Sequence, residues 1–135
     1  MRKQCKRQPR DISAMLRRRT GLDASQKVDL GNAYHMALIA MERGYGTEQT
    51  HATLCVVSAI GAMMCEKGIL PCYTQSFLDA QAALDSCRDR GKWVFTAQEM
   101  KALRIALSLH DEQNATAPVG LIEKCLQEMF TILKA

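Results

Sequence analysis

The chain is 135 residues long, 47% apolar and 24% charged, with only 5% aromatic residues. That length supports one hydrophobic core, and that apolar share excludes a disordered body. Ala, Leu and Met are plentiful while aromatic and β-branched residues are sparse, which argues against strands and for an all-α fold. The formal net charge of +4 conceals an asymmetry: residues 1–20 hold eight Lys or Arg and one Asp, a net +7, against ten and thirteen, a net −3, in the remainder. Residues 1–20 therefore read as a basic N-terminal arm and residues 21–135 as a single helical-bundle domain. The basic N-terminus has no apolar signal region, so Cys5, Cys55, Cys65, Cys72, Cys87 and Cys125 read as thiols kept free in a reducing cytoplasm.

Residues 1–10 include Pro9 and show no periodicity, and Asp11 or Ser13 caps a short basic helix expected to run through Arg19. Asp23 with Gln26 resembles a capping box and opens a helix to about Arg43, with Tyr34, Leu38 and Met41 along one face. Gly44, Tyr45 and Gly46 make a short loop that forces an antiparallel hairpin, and Thr47 caps the next helix, 48–67.

That helix contains ATLCVVSAIGAMMC, residues 52–65, apolar on nearly every side, so every face is expected to need protein neighbours. The apolar run of fourteen residues falls short of the roughly twenty a bilayer span requires. Gly61 costs about 1 kcal/mol of helix propensity and is read as a close packing contact.

A following helix begins at Pro71 or at Thr74, the latter as a cap with a Tyr73–Leu78 staple. Tyr73, Phe77, Ala80, Leu84 and Cys87 then step by four, three, four and three as a seam, closed by Gly91. Thr96 with Glu99 is a full capping box, flanked by Phe95 and Met100 as a hydrophobic staple. Met100, Leu103, Leu107 and His110 form the buried face of that helix, and Asn114 to Pro118 breaks it. The last helix carries Ile122, Cys125, Leu126, Met129, Phe130 and Leu133 on one stripe, able to close the bundle or to pair across a homodimer. The expected fold is a compact all-α bundle of about five main helices plus the short basic one.

Candidate chemistry is thin. His35, His51 and His110 are scattered, and no cysteine pair has zinc-ligand spacing, so neither a metal nor a cofactor is expected. The Gly44–Gly46 pair follows a helix rather than a strand, which removes the context of a phosphate loop. Cys55 lies one helical turn from His51, the only nucleophile-and-base spacing present, and reads as a chance pairing on a buried helix. With no catalytic residues to assign, the chain reads as non-enzymatic. Trp93 in an interhelical linker reads either as a lid over the core or as an interface anchor, and with Tyr45 at the hairpin tip it is a candidate partner-binding residue, because aromatic anchors dominate protein interfaces. Arg2, Lys3, Lys6, Arg7, Arg10, Arg17, Arg18 and Arg19 are the candidate phosphate-backbone contacts of a nucleic-acid-binding arm, beside the alternatives of a solvated solubilising tail and a docking arm for an acidic protein.

Ala37 to Thr47, ALIAMERGYGT, continuing through Leu54 to Glu66, Lys67 and Gly68, resembles short α-helical proteins of proteobacterial phages, plasmids and integrated elements. The resemblance implies an accessory protein of a mobile element that binds a host or element protein, inhibitors of host defence complexes among them. The leading expectation is a non-enzymatic, cytoplasmic, protein-binding module. The alternative is a nucleic-acid-associated protein acting through its basic arm.

Overall fold

The computed structural model describes residues 24–134, and within these the only regular secondary structure is helical. The expected basic helix and the Asp23 cap lie outside the described residues. Five helices follow one another: α1 (Ala24–Arg43), α2 (Glu48–Glu66), α3 (Thr74–Arg90), α4 (Ala97–Thr116) and α5 (Val119–Lys134), with a 3₁₀ turn at Pro71–Tyr73. None of them is long and apolar enough to cross a membrane.

The helices begin where local chemistry dictates. Thr47 and Thr50 exchange backbone and side-chain hydrogen bonds across the first turn of α2, and Thr96 and Glu99 do the same at α4. These pairs satisfy N–H groups that no helical carbonyl can reach. Arg90 adds a fork onto Glu99 at 2.5 and 2.6 Å, tying the end of α3 to the start of α4. Phe95 and Met100 are both buried beside this box, as the staple requires.

Two boundaries differ from the sequence expectation. Thr74 is not the cap of α3: its hydroxyl turns back to the Pro71 carbonyl at 3.0 Å, and the cap position falls to Tyr73, which makes no side-chain cap bond. Tyr73 and Leu78 are exposed rather than stapled, so the buried seam of α3 begins at Phe77. Asn114 does not break α4 either. It is buried within the helix, which continues to Thr116 and stops where Ala117, extended before Pro118, leaves the helical region.

α2 is the hub, in contact with each of the other four helices and with the 3₁₀ turn. Its Gly61 meets the Phe77 ring so closely that a Cβ there would overlap Cε1 and Cδ1, with Cζ only 2.7 Å away. Burial is not uniform around it, however. His51, Leu54, Ser58, Ile60, Met64 and Cys65 are buried, whereas Val56, Val57 and Met63 are partly exposed and Ala52 is exposed. The expectation that every face is covered therefore fails along one side, where α1 and α5 stand apart.

Two hydrophobic clusters result. The larger unites α1 to α4 around Met41, Leu54, Phe77, Leu84, Leu103 and Leu107. The smaller sets Ile60 and Met64 of α2 against Ala117 and against Ile122, Cys125 and Met129 of α5. The stripe of α5 is thus used within the chain, reinforced by Lys67–Glu128 at 3.1 Å. Between the clusters lies Gln113, whose amide nitrogen reaches the carbonyls of Gly61 and Ile69 at 3.0 and 3.3 Å. The five cysteines described are free thiols, and only Cys72 is exposed.

Candidate functional site

The two candidate aromatic residues belong to neighbouring loops at one end of the bundle. After α1, Gly44 takes φ +84°, and the Tyr45 N–H returns to the Ala40 carbonyl at 2.9 Å, closing the helix in a Schellman-type turn. Gly46 then lies directly against the Trp93 carbonyl and the Met41 sulfur, with no room for a Cβ. The Phe95 N–H reaches the Met41 carbonyl at 3.4 Å, so the 92–95 linker is tied to the last turns of α1, from which the 44–47 loop continues. Tyr45 projects from this joint at 75% exposure, and Val94 beside it is 40% exposed.

Trp93 is half-buried and faces inward. Its indole lies against the His51 imidazole, ring centroids 5.0 Å apart, and packs on the larger core. His51 is itself buried, with Nε2 at 2.7 Å from the Leu84 carbonyl. A carbonyl only accepts, so Nε2 carries the proton and donates, which leaves Nδ1 as acceptor for the Cys55 thiol at 3.6 Å. The spacing that looked like chance is therefore a real contact: thiol, imidazole and carbonyl form one hydrogen-bonded line.

That line resembles a nucleophile, its base and an orienting group, but its electrostatics run the other way. Burial pushes the Cys55 thiol up, more than Arg88 draws it down. The protonated thiol is a poor nucleophile, and Cys55 sits inside α2, where its backbone N–H belongs to the helix rather than to an oxyanion. The chemical effect of the line is to fix the His51 ring beneath Trp93.

The remaining histidines are placed apart from it. His35 is partly exposed and bonded to Asp111 at 2.8 Å, while the other Asp111 oxygen accepts from the Tyr34 hydroxyl. His110 is buried, and burial holds its pKa below the ordinary imidazole value. Among the described residues no three His, Cys, Asp or Glu side chains gather as metal ligands do. Arg2, Lys3, Lys6, Arg7, Arg10, Arg17, Arg18 and Arg19 all lie outside the described residues.

Sequence reading missed Val94 and the role of Gly46. Val94 stands next to Trp93 in the linker, but only the loop-to-loop contact makes it a neighbour of Tyr45. Comparison with protein-family models, with curated proteins and with solved structures finds no match.

Proposed function

We propose that this chain is a non-enzymatic protein-binding module whose contact surface is the paired-loop end of the bundle, centred on Tyr45 and flanked by Val94 and Trp93. The observation that supports it is a large aromatic side chain, three-quarters exposed, on a loop whose backbone is fixed on both sides. A loop whose backbone is already held loses little conformational freedom on docking, and tyrosine brings both apolar area and a hydroxyl. His51 and Cys55 contribute from below by holding the Trp93 platform in place. The resemblance of residues 37–47 to mobile-element proteins suggests the setting, an accessory protein that acts on a host or element complex.

The test is affinity recovery of the tagged full chain from its own host after nuclease treatment, beside Tyr45→Ala and beside a chain beginning at Gly21. A stoichiometric protein that survives nuclease and truncation but is lost with Tyr45→Ala supports this reading. The +7 charge of residues 1–20 favours a second one, phosphate-backbone binding. Recovery of nucleic acid that disappears with the arm, with affinity falling steeply with salt, would install that reading in place of the first.

A further inference from the structure

The uncovered side of α2 encloses a groove of about 370 Å³, bordered by α1 and α5 and reaching His110 of α4 at its base. Val56, Ile60, Ile122 and Leu126 make its walls, Gln49 and Thr53 border it on the exposed side, and among the described residues no Asp, Glu, Lys or Arg side chain lines it. A charged ligand would lose its hydration there without compensation, whereas an apolar one is favoured by the burial of its surface. The volume lies near the lower end of the range of roughly 300 to 1,000 Å³ typical of small-molecule sites.

The base of the groove is not featureless. His110 is 4% exposed, and its Nδ1 stands 3.0 Å from the Gln113 side-chain oxygen. Gln113 directs its amide nitrogen at the Gly61 and Ile69 carbonyls, so the orientation of that amide is set and its oxygen must accept. Nδ1 therefore carries the imidazole proton. Burial disfavours a second proton, which leaves Nε2 as a bare acceptor. Among the described residues nothing donates to it. Tyr34 stands edge-on to the imidazole, ring centroids 5.4 Å apart, and spends its own hydroxyl proton on Asp111. The groove thus has mostly apolar walls and, among its described residues, one acceptor buried at its base and oriented by a neighbouring amide.

We infer that this groove is a binding site for a small uncharged ligand with an apolar one- or two-ring body and a single N–H or O–H donor, which bonds to His110 Nε2. The donor selects among apolar molecules, because a ligand lacking it would cover the imidazole nitrogen and leave it unpaired. The site is independent of the Tyr45 surface and stands or falls apart from the proposed function.

The experiment compares two probes of the same bicyclic shape on the full chain: indole, which has a ring N–H, and benzothiophene, which has none. Binding is followed by methyl NMR. Indole is expected to shift the Val56, Ile60 and Ile122 methyl signals saturably, with benzothiophene about tenfold weaker. Leu126→Trp and Ala52→Trp plug the groove from two different helices, so the test survives if one of them fails to fold. Either folded variant is expected to lose indole binding. Equal affinity for the two probes, absence of saturable shifts, or undiminished binding in a folded plug variant would overturn the inference. Self-association of the unliganded chain that the plugs abolish would also overturn it, by giving the groove to a second copy.

Discussion

The two hydrophobic clusters share α2 and clothe it differently. In the larger one, Met41, Phe77, Leu84 and Leu103 come from α1, α3 and α4, and none is more than 1% exposed. In the smaller one, α5 with Ala117 approaches from one direction, and Val56 and Leu126 at its border stay only partly covered. Three helices converging on a fourth make an enclosed core, while a single helix laid beside it leaves a groove. An apolar helix thus does not dictate its own burial. It is covered only where partners of matching shape arrive, and the rest of it stays at the surface.

The sharpest way to break this contrast is to empty the larger cluster. Phe77→Ala should cost about 3–5 kcal/mol, because the ring fills the space that Gly61 leaves open, and urea unfolding would measure it. Ile122→Ala should cost about 2 kcal/mol, near the low end for such truncations, since its surroundings already open onto the groove. Hydrogen exchange should then quicken in α5 while α3 and α4 keep their protection. Equal loss of protection in all helices would show the clusters to be one cooperative unit.

Glu99→Gln tests the seam between α3 and α4 and should cost about 1 kcal/mol at neutral pH. The Arg90 guanidinium, with help from the Thr96 N–H, holds the Glu99 carboxyl below its ordinary range. The folded state therefore binds this proton less readily than the unfolded one. Its stabilisation is fully present above the unfolded value of about 4.3 and is lost as pH falls through the folded value. Thermal melts of the two proteins should converge in strong acid. The smallest effect belongs to Tyr45→Ala, expected to move stability by no more than about 0.5 kcal/mol while removing the partner. A large drop in melting temperature would instead make Tyr45 part of the scaffold.

What the sequence disclosed was mostly local. Thr96 with Glu99, Phe95 with Met100, and the Gly44 stop are written within a few residues of one another, and each sits as read. Gly61 was legible as a close contact because glycine in an apolar helix has few other purposes, although Phe77 as its partner was not. Asn114 misled because its neighbours Ala, Thr and Pro118 resemble a breaker, while its burial depends on helices distant in sequence. The aromatic candidates were visible as residue types, but the Gly46–Trp93 contact that unites their loops spans nearly fifty positions. Likewise the proton on His110 is fixed through Gln113 by the Gly61 and Ile69 carbonyls, a relation that no spacing rule contains.

The position of α2 as hub also has a meaning in time. During synthesis α1 and α2 leave the ribosome first, and α3 and α4 can close the larger cluster over one side of them before α5 emerges. The C-terminal half of α2 waits some sixty positions for Ile122, Cys125 and Met129. Until then the most apolar of the described helices presents Ile60 and Met64 to whatever is nearby, the exposure on which chaperones act. Refolding should accordingly show a fast phase for α1 to α4 and a later one in which α5 docks, so that the arrival of α5, rather than the formation of the main core, marks the moment this surface is sheltered.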